Sequence, residues 1–79
     1  MIMSGDEYGR LLAANNGKTH EKVISEIDNL LRKNEELEAE ARAAADAGDT
    51  NEYLRLIDRM NKNATMIFVK RNWLQGVNK

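Results

Sequence analysis

The side chains able to attack an electrophile or move a proton near neutrality are few. Ser4, Ser25, Thr19, Thr50 and Thr65 supply the hydroxyls considered as nucleophiles, and His20 is the sole histidine. Thr19 stands at an expected helix start, where a threonine caps free backbone N–H groups, and no oriented acid accompanies His20. Two carboxylate pairs, Glu36 with Glu40 and Glu35 with Glu38, have the spacing that shares a helix face. Metal centres in helical bundles draw carboxylates from several helices and add core-facing histidines; these glutamates lie largely outside the apolar stripe. The absence of cysteine removes thiolate sites and disulfides, and the five glycines stand apart from any phosphate-cradling pattern. We therefore expect no catalytic residue, metal site or cofactor, and read the chain as not an enzyme.

One constellation could bind rather than react. Lys70, Arg71 and Lys22, with Tyr8, His20 and Trp73 as flat walls, would suit a nucleotide or another small anion. The competing reading has Arg71 reaching along Ile27 to pair with Asp6, Glu7 or Glu26. A nucleic-acid reading would use Lys62, Lys70, Arg71, Trp73 and Lys79.

These groups sit on a chain of 79 residues with 12 basic and 13 acidic side chains, a net charge of −1 and 42% hydrophobic residues. That balance excludes a uniformly basic nucleic-acid coat, and charges spread along the chain exclude a membrane span. Met1-Ile2-Met3 is too short for a signal sequence, and with no cysteine the expected location is cytoplasmic. A chain this short buries only about 60% of the surface its unfolded form exposes, so support from self-association is expected.

The elements that must position the side chains are all helical, because proline is absent and Ala, Leu, Glu, Lys and Arg abound. Ser4 lies three residues before Glu7, the capping-box spacing, and Asn15-Asn16-Gly17 offers a stop. A first helix is expected over about 4–16. A second runs over about 19–47, from the Thr19 cap to Gly48, and a third over about 50–74, after Asp49-Thr50-Asn51-Glu52. Residues 75–79 are expected to fray. Glycine followed at once by a cap predicts a tight turn, hence an all-α fold in which a short helix precedes a long, coiled-coil-like antiparallel hairpin.

In the second helix, Val23, Leu30, Leu37 and Ala44 form one seam row, and His20, Ile27, Asn34 and Ala41 the other. In the third, Tyr53, Met60, Ile67 and Leu74 are assigned to one row, and Ile57, Ala64 and Arg71 to the other, with Leu54, Leu56 and Phe68 flanking. The expected layers pair Ala44 with Leu54, Ala41 with Ile57, Leu37 with Met60, Asn34 with Ala64, Leu30 with Ile67 and Val23 with Leu74. Asn34 is read as a register device. Tyr8, Leu11 and Leu12 of the first helix should cover one side of the open end. Met66, Val69 and Trp73, with Phe68 near them, are expected to face away from the seam and meet a second copy or another partner.

Charge is segregated. Residues 35–58 hold eight acids against Arg42 and Arg55, and residues 59–79 hold five bases and no acid. A hairpin turns this into an acidic closed tip and a basic open end. Three functions remain. The first is a helical homo-oligomer, dimer or larger, that docks on or occludes a partner protein, as inhibitors and adaptors do, in the style of small phage or mobile-element products. The second is nucleic-acid binding: in outline a dimeric helical hairpin resembles the plasmid-encoded RNA-binding hairpin proteins, by shape alone and without a shared motif. The third is a nucleotide or small-anion binder at the open end.

Overall fold

The computed structural model describes residues 4–77, with side chains through Gly76. Three helices follow in order: α1 (Gly5–Ala13), α2 (His20–Asp46) and α3 (Thr50–Val77). The long pair α2 and α3 pack as the hairpin, and α1 lies on α3. The expected Met1-Ile2-Met3 and Asn78-Lys79 features fall outside the described residues.

Each helix start is capped by the expected residue. Ser4 Oγ accepts from Glu7 N at 3.1 Å, Thr19 Oγ1 from Lys22 N at 3.1 Å, and Asp49 Oδ1 from Glu52 N at 3.1 Å. Gly48 takes φ +74, and around it Gly48 N donates to Ala45 O and Asp49 N to Ala44 O, at 3.1 and 2.9 Å. This is the double closure of a Schellman stop, which only a glycine adopts without strain. The chain therefore reverses within three residues. α1 stops earlier than expected, at Ala13, because residues 14–17 form a run of turns ending at Gly17, φ +86. α3 continues through Gln75, Gly76 and Val77, past the expected end at Leu74.

The α2 seam is the expected one: Val23, Ile27, Leu37, Ala41 and Ala44 are buried, with Leu30 and Asn34 half-buried. His20 is the exception, being exposed at the helix start. The α3 seam is rotated from the expected one by a single residue in its second row. Leu56, Met60, Asn63, Ile67, Lys70 and Leu74, alternating by four and three, run along the buried side. Leu56 is only 2% exposed, whereas Leu54 is 57% exposed and Ala64 and Arg71 also face solvent. The layers that placed Leu54 on Ala44 and Ala64 on Asn34 are thus corrected: Leu56 packs with Leu37, Ala41 and Ala44, and Asn34 meets Asn63. Tyr53, expected at the end of the first row, is mostly outside it at 37% exposure.

Apolar packing is split in two. Leu37, Ala41, Ala44 and Leu56, with Ile57 and Met60, fill the closed end; Val23, Ile27, Ile67 and Trp73, with Leu12, Leu30 and Leu74, fill the open end. Between them lies a polar layer in which Asn63 Nδ2 donates to Asn34 Oδ1 at 3.0 Å and Asn34 Nδ2 donates to the Met60 carbonyl at 3.3 Å. A slip of either helix would bury these amides without partners, at about 1–3 kcal/mol each. The layer thereby fixes register within the chain.

Asn34→Leu alone removes the acceptor of Asn63 and should lower unfolding free energy by about 1–2 kcal/mol. Asn34→Leu combined with Asn63→Leu should recover the loss and exceed wild type. Urea titrations of the two variants check this; a single variant as stable as the double contradicts the pairing.

Candidate functional site

The residues picked from sequence for an outward apolar face do not form one. Val69 is fully buried and Trp73 is 8% exposed, Met66 is half-buried, and only Phe68 stays open, at 56%. The covering comes from within the chain. Residues 14–18 carry the chain from α1 to α2 beside the C-terminal half of α3, so that Trp73 Nε1 donates to Asn16 Oδ1 at 3.0 Å and the His20 and Trp73 rings meet in a T-shaped contact at a centroid distance of 5.9 Å. Tyr8 lies 6.5 Å from Phe68, ring to ring, and Asn72 Nδ2 donates to its hydroxyl at 3.1 Å. The small helix thus takes up the surplus bulk that was expected to need a second copy.

The expected anion site is also rearranged. Lys70 and Arg71 exchange the places given to them: Arg71 is exposed, and Lys70, 6% exposed, occupies the seam. Its ammonium donates to Asn15 Oδ1 at 2.8 Å and to Glu26 Oε1 at 3.2 Å. Glu26 also receives Lys18 Nζ, at 3.0 Å to each carboxylate oxygen. Asn15, wholly buried, spends its own amide on the Leu11 and Leu12 carbonyls at the end of α1. One ammonium therefore ties together the α1–α2 link, α2 and α3. An unpaired buried ammonium would be strongly unfavourable, and here its partners are all internal. No described buried side-chain polar atom lacks a partner.

The electrostatics follow from this. The hydrogen bond from Lys18 holds the Glu26 carboxyl below its ordinary range; partial burial opposes that, and Lys70 adds to the lowering. Lys22 is exposed and Tyr8 half-buried with its hydroxyl engaged, so Tyr8, Lys22, Lys70 and Arg71 do not converge on one pocket. A cleft of about 250 Å³ does open beside Lys70, lined by Glu26, Asn29, Leu30, Lys33 and Met66. Its one carboxylate, Glu26, is bonded by Lys70 and Lys18, and Lys33 is exposed at its side. Among the described residues no group of three or more His, Asp or Glu is placed to hold a metal ion, and no helix is long and apolar enough to cross a membrane.

What sequence reasoning missed is a difference between the two flanks of the hairpin. Beside the seam on one flank lie Glu26, Lys33 and Glu40 of α2 and Arg59 of α3; Lys33, Glu36, Glu40 and Arg59 share a single cleft there. On the other flank the equivalent positions are Ile24, Leu31, Glu38 and Ala45 of α2 and Ile57, Ala64 and Arg71 of α3, with Phe68 one step further round and Leu54 on the side of α3 away from α2. Ile24 is 49% and Leu31 39% exposed, beside Leu54 and Phe68 already noted. The signal was present: Ile24 and Leu31 are seven apart, as are Ile57 and Ala64. It becomes readable only once the rotation of α3 is known.

Comparison of the chain with protein-family models, with curated proteins and with solved structures finds no match.

Two measurements bear on the Lys70 network. Glu26→Ala leaves a buried ammonium with Asn15 alone and should cost about 3 kcal/mol, whereas Lys18→Ala removes a more exposed pair and should cost less than about 1 kcal/mol; equal losses in urea unfolding contradict the arrangement. Because the Glu26 carboxyl is lowered on folding, its contribution is present above about pH 4.3, the ordinary glutamate value, and is lost as pH falls through its folded value. Wild type should thus lose stability below pH 4.3 more steeply than Glu26→Gln. Parallel acid curves for the two proteins would contradict that assignment.

Proposed function

We propose that this chain is a non-enzymatic interaction protein that works by docking the apolar flank of its hairpin on another polypeptide. The observation that carries the reading is the set of Ile24, Leu31, Leu54 and Phe68, large apolar side chains between 39% and 57% exposed around a hairpin whose polar interior is internally paired. Scattered exposed apolar residues are ordinary on a soluble surface; here Ile24, Leu31, Ala45, Ile57 and Ala64 recur beside the seam on one flank, with Glu38 and Arg71 among them, where Glu26, Lys33, Glu40 and Arg59 stand on the other, and that contrast supports an interaction face. An inhibitor or adaptor of the kind that phages and mobile elements encode fits this chemistry, acting by occlusion in the cytoplasm. The anion-binding and nucleic-acid readings are less favoured, since Lys70, one of the cations they share, is committed to Asn15 and Glu26.

A photo-reactive amino acid placed at Phe68, Leu31 or, as a control on the charged flank, Lys33 tests the reading in cells of the source. Protein crosslinks at Phe68 and Leu31 but not at Lys33 are expected. Crosslinks chiefly to nucleic acid, or equal protein crosslinking from both flanks, would overturn it.

A further inference from the structure

We infer that the apolar flank pairs with the same flank of a second copy, in antiparallel orientation, to give a four-helix dimer. This deepens the proposed docking function by naming one occupant of its face, and rests on that reading only for the face itself.

Three observations support self-pairing. The first is extent. Two helices of 27 and 28 residues present a face about 40 Å long at 1.5 Å per residue and about 20 Å wide. That outline is about 800 Å², polar middle included, which is large enough to hold the area each partner contributes to a standard stable interface. The hairpin is thin, with a smallest dimension of 16 Å against 47 Å in length, so its core is one layer deep and a second layer would double it. α1 packs on α3, where Tyr8 meets Phe68 at the edge of the face, and leaves the α2 half with Ile24 and Leu31 open.

The second observation is the order of apolar groups along the face. Asn34 opposite Asn63 fixes which residues share a level. Counting outward from that layer, Ile24, Leu31, Ala64 and Phe68 lie towards the open end, and Ala45 and Ile57, with Leu54 behind them, towards the tip. The span between them is polar, with Glu38 and Asn61. A two-fold axis through this middle span sets the open-end group of one copy on the tip group of the other. Apolar meets apolar twice, as an isologous interface requires.

The third observation decides direction. The tip segment 35–58 has eight acids and two bases, and the described part of α3 beyond it, 59–77, has four bases and no acid. Parallel pairing would place the acidic tips together. Of these bases Arg59 lies on the charged flank, Lys62 pairs with Asp58 and Lys70 is buried, so antiparallel pairing brings each acidic tip, with Asp46 and Asp49, to Arg71, exposed on the same flank at the other copy's open end. Complementary charge fixes orientation and suppresses the wrong arrangement more than it adds affinity.

The test uses the full chain, which has no native cysteine. Light scattering should give twice the 9.0 kDa of one chain for wild type, and the monomer mass for Leu31→Glu and Phe68→Glu. Both positions are solvent-exposed in the single chain, so helical content should be unchanged by circular dichroism. Asn61→Cys, near the proposed axis, should oxidise to a disulfide-linked dimer, whereas Asp49→Cys, at the tip, should not. A monomeric wild type overturns self-pairing while leaving the crosslinking test of the docking face untouched. A dimer unaffected by both glutamate substitutions overturns the face, and efficient Asp49→Cys linkage overturns the antiparallel orientation.

Discussion

The buried ammonium of Lys70 is the constraint on which the rest of the structure depends. A charge that is 6% exposed must be met by hydrogen-bonding partners. Asn15 and Glu26 supply them from the α1–α2 link and from α2. Satisfying Lys70 sets the rotation of α3 about its axis. Turned by the one residue that would instead bury Arg71, the helix would bring Ile57 and Ala64 into the seam and carry Leu56 out of it. The apolar flank exists because α3 is not turned that way.

The same network explains the small first helix. α1 is nine residues long and has no fully buried side chain, too little to hold itself in place. Asn15 and Asn16, in the turns that follow it, engage Lys70 and Trp73, and Tyr8 accepts from Asn72. α1 is thereby held to α3 by directional bonds at both its ends. In exchange it shields Trp73, which the hairpin alone would leave at its edge.

Much of this was legible in the sequence. The caps at Ser4, Thr19 and Asp49 and the positive φ at Gly48 follow from local chemistry, and the α2 heptad is nearly unbroken. The phase of α3 was not legible from apolar content, because two of its seam positions are Asn63 and Lys70. A reading that weights hydrophobic residues prefers Ile57, Ala64 and the adjacent Arg71. The alternation of four and three through Leu56, Met60, Asn63, Ile67, Lys70 and Leu74 was the available signal, and it counts only if polar residues are admitted to the seam in pairs. The burial of Val69 and Trp73 depended on the path of residues 14–18, where a series of turns carries no periodicity to read. Val69 and Trp73, expected on an outward face, are thus buried, Met66 is half-buried, and Phe68 alone of that set is exposed.

The rotation of α3 can be tested directly at Lys70. In a proton–nitrogen correlation spectrum of the side-chain ammonium groups, Lys70 should give a resolved, slowly exchanging signal with through-space contacts to Asn15, because its protons are held by Asn15 and Glu26 away from water. A Lys70 ammonium that exchanges with solvent as fast as Lys22 or Lys62 would contradict the account. It would place the seam, and with it the apolar flank, on a different side of the helix.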